Sequence, residues 1–449
     1  MLFDKVVVLD SVIFYPEHRE RLERIAREVV EYNTCGSEDE VSERCAGADA
    51  IISCWVDIPR RIVDENPQLK AIAFWTHDFE HRIDADYAKS HGIHVPAIPD
   101  YGTDSVAELV FLGLLSMFGS GDPTGAPTAA LPAVDEEIVF RFGDDVRLLS
   151  SNIKDNLTGR WFHEYVKTGR LRIDSPDGIP AETLKGMTVG VLGPDLVTRG
   201  LVQLVTQGLG MNLVYSLADA PHTMDTAFRP VDDVLAEAQI LVYDGSRHPW
   251  VAERIAGRSD LRSVVDVAQL EPKRASLREK TLGILGLGRI GSRVAQIASQ
   301  GFGMRVVYHS RTRKPELEEA WGLEYVSLDD VFTSCDILTI HLPHHGAEDV
   351  VSRKLVNSIP DGTVFVNCSV GSVIEDEDEL LDRCERGELR AFLDVYRTLP
   401  PRARLRDLRD GVLATYRLGW RTKATVGLKT HKLLTKLENP PQPYQTRAR

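Results

Sequence analysis

Thr281–Gly291 reads TLGILGLGRIG. An apolar strand-like run enters Gly286-Leu287-Gly288-Arg289-Ile290-Gly291, a full G-x-G-x-x-G, and a helical stretch, Ser292–Gln300, leaves it. A second strand-like run, Arg305–Tyr308, comes next. Strand, glycine turn, helix and strand in this order is the setting in which the spacing binds a dinucleotide rather than marking a stray turn. Gly286 allows the tight turn, Gly288 lets the backbone approach a pyrophosphate, and Gly291 lets the helix close on the strand. The helix N-terminus then turns N–H groups and the positive end of its dipole toward the phosphates. Gly286, Gly288, Arg289, Ile290 and Gly291 are therefore the expected cofactor contacts.

The end of the second strand discriminates between cofactors. An NAD site usually places Asp or Glu there to accept the ribose hydroxyls. Here the residues are His309-Ser310-Arg311-Thr312-Arg313-Lys314, with no carboxylate and three cations in four residues. Charge pairing and the forked guanidinium favour a 2′-phosphate, so Ser310, Arg311 and Thr312 are expected to hold NADP(H), with NAD as the alternative.

The glycine unit has an earlier echo. Residues 187–216 align with 280–309 without a gap, at an offset of 93, with eleven identities in thirty positions. Gly193 matches Gly286, Gly210-Met211 matches Gly303-Met304, and Val214-Tyr215 matches Val307-Tyr308. Beyond a small gap, Val231–Leu241 resembles Leu328–Leu338. Any two βαβ units share some of this pattern; the sharper reading is a duplicated nucleotide-binding half. In the earlier copy the turn reads Gly193-Pro194-Asp195-Leu196-Val197-Thr198. Asp195 puts a carboxylate where a phosphate would approach, so this copy is expected to bind no dinucleotide and to serve packing or assembly.

The rest of the chain is an ordinary α/β composition. Its 449 residues are 43% hydrophobic and 27% charged, enough for two or three domains. Lys+Arg number 53 and Asp+Glu 67, a net charge of −14, which disfavours general nucleic-acid affinity. The longest apolar run, Leu109–Phe118, is about half a bilayer span, so no membrane partner is expected. The start, MLFDKVVVLD, has no signal-peptide layout. Six cysteines include no Cys-x-x-Cys pair and read as buried thiols of a cytoplasmic protein. Val6–Asp10, Ala50–Cys54 and Leu69–Phe74 read as strands, with Glu17–Val30 as a helix among them, in parallel β/α order. Ser105–Phe118 reads as a mostly buried helix capped by Asp104 or Ser105. Gly119–Pro132 is a Gly/Pro-rich linker, and Val146–Leu171, containing Trp161, reads as helical. The acidic run Glu375–Glu379 reads as a solvated helix start.

Several stretches together resemble the D-2-hydroxyacid dehydrogenase family. They are Gly92–Val95 leading into Tyr101–Glu108, the glycine motif, the HSRTRKPE segment at 309–316, His341-Leu342-Pro343, Val366-Asn367 with Gly371, Phe392–Val395, and Gly419–Lys423. The resemblance implies a flavodoxin-like catalytic domain split between 1–118 and 405–440. It implies a linker or insertion at 119–145 and a Rossmann dinucleotide-binding domain at 272–404. The repeat adds a degenerate Rossmann-like domain at 146–271. His341, Pro343, Cys368 and Asp394 fall on family motifs and are implied as cofactor contacts. A homodimer paired through nucleotide domains, acting on a small-molecule substrate, is implied as well.

The same resemblance exposes departures. The family's substrate-binding Arg falls at Val370, and no acid stands in Val395–Pro400 where its Glu belongs. Its acid/base His falls at Arg417, which stays protonated. The usual small loop before these is replaced by Trp75-Thr76-His77-Asp78-Phe79-Glu80-His81-Arg82. His77 oriented by Asp78 is the candidate acid/base pair, with His81 and Glu80 as alternates, and Arg417 is the candidate carboxylate anchor. The spacing of His77, Asp78 and His81 fits no common zinc pattern, so no metal is expected. Two functions follow: an oxidoreductase with an altered active site, or a non-catalytic NAD(P)-binding sensor or assembly protein.

Overall fold

The structure, a computed structural model, describes residues 1–10, 12–32, 37–54, 56–76, 79–96, 98, 101–119, 140–142, 145–147, 184–192, 199–216, 227–243, 245, 248–256, 258, 261, 263–266, 277–343, 346–397, 411–414, 419 and 423–440. The candidate residues His77, Asp78 and Arg417 lie outside the described residues, as do Trp161, Gly193–Thr198 and most of the expected linker.

The N-terminal lobe is built on four parallel strands, β1 (Phe3–Val8), β2 (Ala26–Glu31), β3 (Ala50–Ser53) and β4 (Ala71–Phe74), in the order β2-β1-β3-β4. β3 and β4 are buried throughout, as a parallel sheet covered on both faces requires. One expectation is corrected here. The helix expected over Glu17–Val30 stops at Ile25, and Ala26–Glu31 becomes a strand. Ala26 turns extended (φ −121°, ψ 143°), and Val29 and Val30 pair with Val6 and Val7 of β1. The β-branched pair is better accommodated on a pleated surface than in a helix. Charges at Arg24, Arg27 and Glu28 had continued the helical pattern across this junction.

The chain's C-terminal end completes this lobe. The helix Lys423–Glu438 buries Val426, Leu433, Leu434 and Leu437 in the same core as Val6–Leu9, Ile51, Ile52 and Phe74.

After a short hairpin, β5 (Phe140–Phe142) with β6 (Asp145–Arg147), comes a second parallel sheet. It contains β7 (Thr188–Leu192), β8 (Asn212–Ser216), β9 (Ile240–Tyr243) and β10 (Ser263–Asp266), ordered β10-β9-β7-β8. The third sheet has seven parallel strands: β11 (Thr281–Leu285), β12 (Arg305–His309), β13 (Glu324–Tyr325), β14 (Ile337–Ile340), β15 (Val364–Asn367), β16 (Arg390–Leu393) and β17 (Val412–Ala414). Their order is β13-β12-β11-β14-β15-β16-β17. β17 lies beyond the expected boundary at 404, yet Val412 and Leu413 pair with Ala391 and Phe392. Residues 412–414 thus extend the nucleotide sheet rather than the split catalytic domain.

The helix Thr103–Gly119 joins the lobes. It begins before its expected caps, and Ser105 Oγ donates to the Gly102 carbonyl instead. Its Val106, Ala107, Val110, Phe111 and Leu114 share a core with Leu282, Ile284 and Val294 of the nucleotide unit. At its start Thr425 Oγ1 donates to Ser105 Oγ (3.0 Å), tying it to the C-terminal helix. The acidic run 375–379 is also corrected. Asp376 caps the helix Glu377–Glu385, but Glu377 and Glu379 are buried. Glu377 accepts the Arg397 N–H, and Glu379 pairs with Arg353.

Candidate active site at the carboxyl edge of the nucleotide sheet

The chain leaves β11 outward to β12 and β13, then returns to the other side of β11 at β14. That reversal opens a crevice at the carboxyl ends of β11 and β14, where parallel sheets bind nucleotides. The glycine motif fills it as its spacing requires. Gly286 has φ +97°, and a Cβ there would overlap the His341 carbonyl across the crevice. A Cβ on Gly291 would overlap the Gly286 carbonyl, so the helix is seated directly on the turn. Gly288, by contrast, is exposed with open space where a Cβ would go. It is the N-cap of the helix Arg289–Gln296, and its carbonyl accepts the Ser292 N–H (2.8 Å). Arg289 is exposed and Ile290 half-buried at this mouth. The free N–H groups of the first turn thus face an open cradle, the arrangement that suits a pyrophosphate. The residues present fit a dinucleotide.

At the end of β12 the basic segment divides into two roles. Arg313 is held in a forked pair with Glu318, at 2.8 Å (Nε–Oε1) and 2.7 Å (Nη2–Oε2), and lies over the Tyr325 ring. Hydrogen bonds from Arg313 and then Tyr308 hold the Glu318 carboxyl down at about 2. Ser310 is half-buried, and Arg311 and Thr312 are exposed. Arg311 forms no ion pair among the described residues. The carboxylate nearest in sequence, Glu316, lies on the exposed face of the next helix.

The remaining expected cofactor residues divide into two depths. Pro343 lies exposed at the rim. His341, Cys368 and Asp394 lie beneath it and are buried. His341 Nε2 is 3.0 Å from Thr339 Oγ1, and its Nδ1 has no hydrogen-bond partner. Burial pushes its pKa down to about 3, so the ring is neutral and supports the glycine turn from behind. Burial, followed by the nearby Asp394 charge, raises the Cys368 thiol well above its ordinary value, which makes it a packing thiol rather than a nucleophile. Asp394 accepts the Gly419 N–H (3.2 Å), joining β16 to the return segment.

Val370 is 1% exposed inside an apolar cluster with Val373 and Ile374. The Asn367 amide donates to its carbonyl (3.0 Å). On the N-terminal lobe, the segment carrying His77 and Asp78 leaves β4 through Trp75 and Thr76, both buried. Trp75 Nε1 donates to Thr430 Oγ1 (2.9 Å). The buried Lys429 ammonium lies 3.7 Å from the Trp75 ring centroid and 4.5 Å from that of Tyr101. This cation, missed from the sequence, ties the C-terminal helix to the segment that follows β4 and to Tyr101 just before the joining helix.

Comparison with known proteins agrees with this geometry. Residues 254–416 match the model of the D-isomer specific 2-hydroxyacid dehydrogenase NAD binding domain. This part of the chain is similar to the NAD binding domain of the D-2-hydroxyacid dehydrogenase family. A glyoxylate reductase of Aeropyrum pernix is 41% identical over 144 residues, 31% of this chain and 42% of that protein. The D-3-phosphoglycerate dehydrogenase of Homo sapiens is 34% identical over 149 residues, 33% of this chain and 28% of that protein. The matches thus span less than half the length of these relatives. At the level of the fold, a glyoxylate reductase structure from Paecilomyes thermophila superposes with a TM-score of 0.53, covering 98% of this chain and 95% of that one at 18% identity.

Among the described residues, no three His, Cys, Asp or Glu side chains cluster as metal ligands. No helix of the described residues is long and apolar enough to cross a membrane.

Proposed function

We propose that the chain is an NAD(P)-dependent oxidoreductase, preferring NADP(H), that acts on the hydroxyl, carbonyl or a related group of a small carboxylate-bearing substrate. The observation that carries this reading is the open glycine cradle at the sheet's switch point, with Arg311 exposed beside it and no carboxylate ending β12. A reduced nicotinamide bound there supplies hydride. The chain's own residues bind and orient: first-turn N–H groups hold the pyrophosphate, and Arg311 with Ser310 and Thr312 holds the 2′-phosphate. His77, with Asp78, is assigned the exchange of a proton with the substrate oxygen, and Arg417 the anchoring of the substrate carboxylate. The buried thiols at Cys45, Cys54, Cys335, Cys368 and Cys384, none in a disulfide among the described residues, suit a reducing cytoplasm.

Fluorescence titration with NADPH and NADH tests the cofactor. Turnover with a panel of 2-oxo acids, aldehydes and imines tests the chemistry, with His77→Ala and Arg417→Ala alongside. The expected result is a loss of about 100-fold or more in kcat for His77→Ala and a raised KM for Arg417→Ala. Unchanged rates in both variants would remove these two roles.

A second reading is favoured by one observation: apolar Val370, buried at the place the resemblance gives to the substrate-binding Arg. It is a non-catalytic NAD(P)-binding sensor or assembly protein. Tight NADPH binding without turnover across the panel would select it; turnover of any panel member would exclude it.

A further inference from the structure

We infer that residues 184–266 and 277–367 are two copies of one nucleotide unit, seated on each other about an approximate two-fold axis, so that a single chain carries its own dimer partner.

The equivalence extends well past a shared supersecondary pattern. β7 pairs with β8 in the register Thr188↔Asn212 through Leu192↔Ser216. β11 pairs with β12 from Thr281↔Arg305 to Leu285↔His309, every partner shifted by 93. Both crossover helices end in a π-helical turn, 203–208 and 297–302. Both turns lead to a left-handed glycine, Gly210 (φ +68°) and Gly303 (φ +66°). Met211 N donates to Val205 O and Met304 N to Ala298 O, each at 2.9 Å. Lys185 lies over Gly210 as Arg278 lies over Gly303. After the small gap the offset becomes 97 and the detail persists. Gly190 packs under Ala238 as Gly283 packs under Cys335. The N–H of Thr188 is capped by Gln239, and that of Thr281 by Asp336, at 3.0 and 2.8 Å. Such side-chain and turn details are not demanded by strand-helix-strand topology.

The seating is carried by one contact. A Cβ on Gly208 would lie 2.7 Å from the Gly301 Cα, and a Cβ on Gly301 would lie 3.0 Å from the Gly208 Cα. Gly208 and Gly301 are 93 apart, so each touches its own equivalent. A two-fold axis passing between two packed units brings equivalent positions into this reciprocal contact, as in an isologous interface. Around the axis Leu204 reaches Gly301, Leu209 packs into the cores of both units, and Arg293 donates to the Gly208 carbonyl (2.7 Å). Asp104 of the joining helix pairs with Lys185 of one unit and Arg293 of the other. This face of each unit is thus covered by the other within one chain, and a homodimer would have to use a different surface.

The test is amide exchange of the full chain across a dilution series, with mass by light scattering. Residues 203–208 and 297–302 are expected to be protected together, with the protection unchanged on dilution and a mass of 50.0 kDa. A dimer with dilution-independent protection still supports the proposal, because the face is then intrachain. Protection that falls as a dimer dissociates, or no protection at all, overturns it. Gly208→Leu places a side chain on the axis, and Leu204→Asp adds a charge without bulk. Either is expected to speed exchange in 297–302 about ten-fold or more while leaving NADPH affinity within about three-fold, because the loop 286–291 is untouched. Wild-type exchange in both variants would also overturn it. One NADPH per chain is the expected stoichiometry. The two NADPH readouts rest on the proposed cofactor binding and the exchange and mass readouts do not, so failure of that binding is distinguishable from failure of the paired-unit arrangement.

Discussion

Arg311 and Arg313 lie two residues apart and have different tasks. Arg313 is consumed by Glu318, whereas Arg311 is exposed and forms no ion pair among the described residues. Arg311→Ala is expected to weaken NADPH about ten-fold or more, the value of a lost charge-assisted contact of ~1.5–3 kcal/mol, and to leave NADH unchanged. Arg313→Ala should change NADPH binding less than about three-fold. Titration of both cofactors against both variants checks the assignment, and equal losses for the two would refute it. Gly286 and Gly291 were legible because a Cβ at either would overlap backbone, and Gly288 because the spacing leaves room there for a ligand to approach the backbone. The division of labour between the two arginines was not, since Glu318 reaches back from a helix whose orientation the sequence leaves open. Lys429 was illegible for a similar reason: its aromatic partners, Trp75 and Tyr101, lie near the other end of the chain.

At the scale of elements, the helix Thr103–Gly119 fastens the middle unit. The Glu108 carboxylate accepts the N–H groups of Leu184 (3.0 Å) and Lys185 (3.2 Å). Burial raises its pKa to about 7 despite those two donors. An acid whose pKa is higher folded than unfolded stabilises most below the unfolded value, near 4.5, and loses that contribution as pH rises through 7. His341 acts in the opposite direction. Buried neutral with a pKa of about 3, it stabilises above the ordinary value of 6.5 and ceases to as pH falls toward 3. Urea unfolding of Glu108→Gln and wild type between pH 4.5 and 8 separates the two effects. The variant is expected to lack the decline toward pH 7 and to retain the loss on the acid side. Parallel curves would show that Glu108 does not titrate as its burial requires. The sequence revealed this helix through its apolar length. It misplaced the end of the helix that leads into β2, because alternating charges mimic either period while Val29 and Val30 decide for the strand.

At the scale of the whole molecule, the two chain ends close one lobe. Leu434 is fully buried among residues of β1, β3 and β4. Leu434→Ala should therefore cost about 2–5 kcal/mol, all of it in the N-terminal lobe, and leave NADPH affinity unchanged. Urea unfolding followed by exchange within 3–8 and 71–74, beside an NADPH titration, checks this. Loss of cofactor binding would show instead that the C-terminal helix supports the nucleotide unit directly. The split was readable only through family resemblance, because nothing local in Lys423–Glu438 names its packing partner. The end of the nucleotide sheet was misjudged because β17 is only three residues long.

The contact of Gly208 with Gly301 has a consequence for inheritance. In a symmetric pair of separate chains, every substitution is written on both faces and in both sites at once. Two copies fused in one chain are released from that coupling. Asp195 and Thr198 can replace two fingerprint glycines in one copy while Gly288 and Gly291 keep the other open to its ligand, and the face between them need only remain complementary.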